Sequence, residues 1–295
     1  MSTLVAADAL TADAQGSEPQ GSEPKEREPK ASDPQVREHQ GSDLQASELK
    51  AFHLQASEPK EREPRPLLSV IVPLGPAETG LGPLAADLLL LPADSEILLV
   101  CCPQSAALRR RQLPSGLRQH PRLRWLEAPA GRAHQLNAGA QAARGQHLWF
   151  VHVDSGLSPW VVNQLLAAVS QRPEALHYFR LAFAPDGRGP MVLNALGAHW
   201  RSEWLGVPFG DQGFCLSATL FRQLGGYDAT LPYGEDHLLL WKARRAAIPL
   251  NYCHAVITTS ARKYRHRGWG VLTLNYQWRW LRQAVPQAVA LLFGR

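Results

Sequence analysis

Between residues 67 and 154, short apolar runs alternate with amphipathic stretches in a steady rhythm. Leu67-Leu-Ser-Val-Ile-Val-Pro73 is a run of the buried-strand kind, stopped by proline. Residues 96–101, 123–127 and 146–153 give three more, and helical spacing falls between them at 77–91, 105–113 and 131–144. This β-α-β-α-β-α-β order predicts an α/β domain with a mainly parallel, twisted sheet flanked by helices and right-handed crossovers. Past residue 154 the rhythm loosens. Helices are predicted at 159–171, 192–204, 218–224 and 235–246, and strands at 176–184, 212–216 and 251–258, before a basic loop. The last segment, 271–293, has amphipathic helical spacing, with a kink expected near Pro286. Its face of Trp278, Trp280, Leu281 and Val285, beside Arg279 and Arg282, suits either core packing or a membrane interface.

Residues 16–65 follow another rule. They repeat in fives, as in Gly-Ser-Glu-Pro-Gln and Gly-Ser-Glu-Pro-Lys, and Phe52 is their only aromatic residue. Such a segment has too little apolar surface to offset its ordering entropy. The expected organisation is a disordered low-complexity tail over 1–66 and a single domain over 67–295. A five-residue period is also too short for the helical solenoids, which repeat every ~20–50 residues.

Charge divides the chain at the same place. The tail holds 8 Lys and Arg against 13 Asp and Glu, and the remainder holds 23 against 13. No acid follows Asp236, while Lys242, Arg244, Arg245, Arg262, Lys263, Arg265, Arg267, Arg279, Arg282 and Arg295 all do. One-sided basicity suits a phosphate-bearing ligand or an anionic membrane surface. A nucleic-acid partner is not expected, because no helix-turn-helix, zinc-finger or RNA-recognition pattern accompanies the charge. The four cysteines lack metal-ligand or disulfide spacing. With no secretory signal and no apolar run of ~18–20 residues, a cytoplasmic location is expected, with peripheral contact at the inner face of the membrane.

The chemistry concentrates in a few places. Leu148-Trp-Phe-Val-His-Val-Asp154 is an apolar run that ends in a lone acid at a turn. Ligands collect at the carboxyl ends of strands in α/β sheets, so Asp154 reads either as a holder of a divalent cation or as an Asx-turn closing the strand. Gly131 opens a helix whose amino end would offer free N–H groups to an anion, with Arg132 and Asn137 one and six residues further on. Gly210-Asp211-Gln212-Gly213 sets a polar pair between glycines, and Glu235-Asp236 stands at the mouth of a helix. Arg262, Lys263, Arg265 and Arg267 form a basic loop that reads as a diphosphate clamp or as a solvated surface.

These residues resemble the family 2 glycosyltransferases of the GT-A fold, and most closely the radical-SAM/selenodomain-associated transferase 2 branch. Five motifs carry the resemblance in order: Ser69–Pro73, Gly131–Gly139, His152-Val153-Asp154, Gly210–Gln212 and Glu235-Asp236. It covers about 67–285 and implies a GT-A-type single domain. The implied activity is inverting, metal-dependent transfer of a hexosyl or related sugar from a nucleotide-diphospho-sugar to an acceptor hydroxyl. It implies Asp154 as the ligand of Mg²⁺ or Mn²⁺, and Asp236 as the base, with Glu235 as its substitute. On the donor side it implies Pro73, Glu78, Arg132, Asn137, His152, Asp211, Gln212 and Arg265. His152 replaces the family's usual first acid, and two roles stand open for it: metal ligand, or a group behind the ligand. His266 is a further candidate for the metal shell.

Two departures bear on the donor. Cys101 stands where the family has a base-contacting acid, and Gly75-Pro-Ala-Glu78 replaces its usual Asn-Glu. The resemblance therefore leaves the nucleotide base and sugar open, along with the acceptor. The alternative is a catalytically degenerate nucleotide- or phosphate-binding module at a membrane surface. A nucleotidyltransferase fits less well, because no glycine-rich, Lys-containing loop follows Pro73.

Overall fold

A computed structural model describes residues 65–110 and 113–293. The repeat segment expected as a tail lies outside them, except for its last two residues. The strands are β1 (Leu68–Leu74), β2 (Glu96–Cys101), β3 (Leu123–Glu127), β4 (His147–Phe150), β5 (Ser155–Gly156), β6 (Leu176–Phe183), β7 (Cys215–Ser217) and β8 (Leu250–Thr259). The helices are α1 (Leu84–Asp87), α2 (Ser115–Arg118), α3 (Arg132–Ala142), α4 (Pro159–Gln171), α5 (Met191–Trp204), α6 (Ala218–Gln223), α7 (Glu235–Arg245), α8 (Lys263–Arg267) and α9 (Trp269–Phe293).

The eight strands form one sheet in the order β3-β2-β1-β4-β7-β6-β8-β5. The expected parallel part is there: β1 pairs in parallel with β2 and β4, and β2 with β3. The second half is mixed. β7 runs antiparallel to β4 and β6, β8 returns parallel to β6, and β5 is antiparallel to β8. Both faces of the sheet are covered, which is why β1 and β2 are apolar apart from Ser69 and Glu96, whose side chains bond each other at 2.6 Å. Val70, Val72, Ile97 and Leu99 pack on one side with Val161 and Leu165 of α4. Ile71, Leu98 and Val100 pack on the other with Leu136 of α3 and Leu239 and Trp241 of α7. Pro73 lies past the last pairing of β1 with β4, so its missing N–H breaks no ladder there.

The stretch 77–91 departs from the helix its spacing predicts. Gly80, Gly82 and Pro83 interrupt it, leaving a single α-turn and a 3₁₀ turn, Leu88–Leu90. Pro103–Arg110 is likewise 3₁₀ rather than α. The basic loop holds the short helix α8, and α9 runs on through Pro286.

The placement of α3 governs the site, since its first turn faces the cleft. Gly139 lets α3 lie directly on β1: a Cβ there would collide with Ile71 Cγ2 and meet Val100 Cγ2 at 3.2 Å. Gly139→Ala should therefore destabilise the fold by about 1–3 kcal/mol through overpacking. A lowered urea midpoint checks this, and an unchanged midpoint would contradict the close approach.

Candidate active site

A cleft of about 590 Å³ opens at the carboxyl ends of β1 and β4. Pro73 and Glu78 from the loop after β1 line one wall, with Gly131, Arg132 and Gln135 of α3 and the strand end His152–Asp154. Asp211, Asp236 and Lys263 line it as well, with α5 contributing Asn194, Ala198 and Arg201. Thr273, Tyr276, Trp280 and Gln283 of α9 close it. Asp154 and Asp236, far apart in sequence, thus line one cavity, and Arg132 lines it with them.

Arg132 ties the acids together. Its Nε donates to Glu235 Oε1 at 2.5 Å, and its Nη2 lies 4.0 Å from Asp236 Oδ1. Asp236 Oδ2 accepts from the backbone N–H of Gly210 at 2.6 Å. Position 210 must be glycine for this contact, since a Cβ would sit 2.7 Å from the same oxygen. Burial alone would raise the Asp236 carboxyl. The Arg132 guanidinium and the Gly210 N–H outweigh it, holding Asp236 ionised and below the ordinary carboxylate range. Burial also opposes the charge on Arg132, but Asp236 and Glu235 override it and push its pKa up.

Other groups in the cleft show the opposite balance. Asp211 is pushed up by burial, and its Oδ1 has no hydrogen-bond partner. Glu78 is raised by burial and then by the charge of Asp154. Burial lowers Arg201 to about 10; its guanidinium lies 3.5 Å from the Phe209 ring centre, and its Nε donates to the Val207 carbonyl. Burial, reinforced by Arg132, lowers His152 to about 3, so its imidazole is neutral.

Three of the expected donor residues do not line the cleft. Asn137 is occupied by Tyr227, donating to its carbonyl at 2.8 Å and accepting from its N–H at 3.0 Å. Gln212 is fully buried, donating to the Phe179 carbonyl and accepting from Ser202 and the Phe209 N–H. Arg265 is exposed, and the neighbouring Lys263 faces the cavity instead. The side chain of His266 lies outside the described residues. Glu235 sits behind Arg132, buried and outside the lining. Cys101 is buried in the core, its thiol donating to the Leu126 carbonyl.

Gln135 is the lining residue the motif reading passed over. Its Nε2 donates to the carbonyls of Leu74 and Val100, both at 2.7 Å, and so joins the ends of β1 and β2 under the cleft. The signal was present, since Gln135 belongs to the Gly-Arg-Ala-x-Gln motif. Arg201 and Trp280 carried no such mark within their helices.

No three His, Cys, Asp or Glu side chains among the described residues converge to hold a metal ion by themselves. The oxygen donors present do suit a hard cation, because Asp154 faces Glu78 closely enough to raise it. A cation here would draw most of its ligands from bound phosphate and water.

No family model and no curated protein matches the chain. Among solved structures, S. aureus TarS 1-349 in complex with UDP-GlcNAc superposes with a TM-score of 0.53 at 15% identity, covering 65% of this chain and 58% of that one. A mannosyltransferase of Pyrobaculum calidifontis, PcManGT, in complex with GDP-Man and Mn²⁺, does so with a TM-score of 0.50 at 19% identity, covering 71% and 60%. The fold is that of a GT-A-type glycosyltransferase. The chain spans less than two thirds of the length of these neighbours, and at such identities the likeness is one of fold.

Two buried imidazoles, His237 in the cleft lining and His177 at the start of β6, make a pH prediction. Burial lowers His177 and His237 each to about 4, against an ordinary value of 6.5. Between those values the unfolded chain binds more protons than the folded one. The stability present at pH 7 is therefore lost as pH falls, by ~2 kcal/mol per histidine at pH 5. Asp211 and Glu78, being raised, act in the opposite direction. Both imidazole NMR signals should stay in the neutral position from pH 7 to 5, and urea midpoints should fall over that range.

Proposed function

We propose that the chain is a metal-dependent, inverting glycosyltransferase moving a hexosyl or related sugar from a nucleotide-diphospho-sugar to an acceptor hydroxyl. The observation that carries this reading is the cleft shared by Asp154 and Asp236, with Arg132 on its wall. The donor nucleotide would lie along Pro73, Glu78 and the amino end of α3, where free N–H groups and Arg132 favour a diphosphate. Lys263 would take the late phosphate role expected of the basic loop. Asp154 would be the protein ligand of Mg²⁺ or Mn²⁺, with His152, a neutral imidazole two residues earlier, supporting that strand end. When bound, the cation would neutralise charge on the diphosphate leaving group.

The acceptor hydroxyl oxygen attacks the anomeric carbon from the face opposite the diphosphate and forms the new C–O bond. The bond to the diphosphate oxygen breaks, and that oxygen keeps the electron pair. The hydroxyl proton passes to Asp236, which Arg132 and Gly210 keep ionised in the resting protein. Glu235 serves by holding Arg132 at 2.5 Å rather than by meeting the acceptor. Asn137 and Gln212 serve by fixing α3 and the 210–212 turn. Asp211 and Trp280, which also line the cleft, would border the acceptor. The four free cysteines are all buried, which suits a reducing, cytoplasmic setting.

Thermal-shift screening against uridine, guanosine, adenosine and thymidine diphosphates tests the reading. Stabilisation should require Mn²⁺ and should be lost in Asp154→Asn. Asp236→Asn should keep that stabilisation while donor turnover falls ~10²–10⁴-fold. Full turnover in Asp236→Asn would remove the assigned base. Binding of a nucleotide with no hydrolysis of any donor would leave the non-catalytic module.

A further inference from the structure

The helices α5 and α9 each have two different faces. Asn194, Ala198 and Arg201 of α5, and Thr273, Tyr276, Trp280 and Gln283 of α9, turn toward the cleft. Their opposite faces carry long apolar stripes open to solvent: Val192, Leu193, Leu196, Trp200 and Trp204 on α5, and Val271, Leu274, Trp278, Leu281, Val285 and Val289 on α9. The 3–4-residue spacing keeps each stripe on a single face. These are not partly covered positions, since Trp200, Trp204 and Trp278 are 52%, 78% and 61% exposed.

The two helices meet at their first turns. Asn194 Nδ2 donates to Thr273 Oγ1 at 3.2 Å and its Oδ1 accepts from Trp269 Nε1 at 2.8 Å, tying the first turns of the two helices together. The charge around them is positive. Arg262, Arg265, Arg279 and Arg282 are exposed, and no acid occurs anywhere after Asp236. On α5 the exposed-side acid Glu203 is paired with Arg180 at 3.0 Å and with His199 at 2.9 Å.

We propose that α5 and α9 together form a docking face for an anionic lipid bilayer, lying in its interface beside the cleft. Apolar stripes seek the acyl boundary, exposed tryptophans favour the headgroup level, and flanking arginines favour anionic headgroups. No helix among the described residues is long and apolar enough to cross a membrane, so the contact lies on the bilayer. This inference stands on the surface itself and does not depend on the transfer reaction.

Co-sedimentation of the full chain tests it, with phosphatidylcholine vesicles and with vesicles also holding about 30 mol % phosphatidylglycerol. The protein should pellet with the anionic vesicles and stay in solution with the neutral ones. Leu274→Glu/Trp278→Glu and, separately, Trp200→Glu/Trp204→Glu should each weaken partitioning by about tenfold or more. All these positions are exposed, so melting temperatures should hold, as circular dichroism checks. The nucleotide response of both variants should match that of the parent, which separates failure of docking from failure of the transferase reading. No pelleting, equal pelleting with both vesicles, or full binding by the α5 variant would overturn the proposal. So would a concentration-dependent dimer in solution abolished by the same changes, since the face would then be occupied by a second copy.

Discussion

The pairing of Arg132 with Glu235 and Asp236 is the interaction on which the site depends. Two adjacent carboxylates at the start of α7 are removed from bulk water, and one guanidinium from α3 answers both. Without it, desolvation and mutual repulsion would drive at least one acid to take up a proton. With it, Asp236 stays charged, and the two helices are held at a fixed separation across the cleft. The same contact requires α3 to press on β1 at Gly139 and the 210–212 turn to press on Asp236 at Gly210. Site electrostatics and core packing therefore share their fixed points.

That dependence explains which positions stand out along the chain. The glycines at 139 and 210 and the acids at 235 and 236 satisfy constraints that no other residue type meets, so they leave readable motifs. The runs at β1 and β2 are legible for a related reason, because strands buried on both faces admit a polar residue only where it finds a partner, as Ser69 and Glu96 do in each other. The antiparallel half of the sheet was harder to foresee. β7 is three residues long and β5 two, too short for periodicity, and only their neighbours reveal which way they run. The 77–91 stretch misled for the opposite reason: its apolar spacing is helical, but Gly80, Gly82 and Pro83 carry more weight than the pattern.

Within the site, motif membership identified the right neighbourhoods more surely than the roles. Asn137 and Gln212 sit inside motifs, yet their amides are committed to backbone partners under the cleft. A short polar side chain beside a ligand pocket and one that braces its wall look alike in sequence. Arg201 shows the converse. It is buried in the last turn of α5, over the Phe209 ring, and only the fold reveals that its charge faces the cleft.

At the end of β2, Cys101 closes the strand without a charge. The thiol is wholly buried and closes on the Leu126 carbonyl, so the strand end still packs. Gln135 still joins the carbonyls at the ends of β1 and β2. The Cys101 side chain makes no hydrogen bond to Arg132, Asp154 or Asp236, and only its carbonyl, accepting from the Ala128 N–H at 2.9 Å, touches the loop that leads into α3. The acidic part of the cleft is therefore held independently of the side chain at the end of β2. Glu78, which lines the same cleft, is pushed the other way from Asp236: burial and then the charge of Asp154 raise it. Two carboxyls of one cleft thus differ because Asp236 has a guanidinium and a backbone N–H against it, while Glu78 has a second acid.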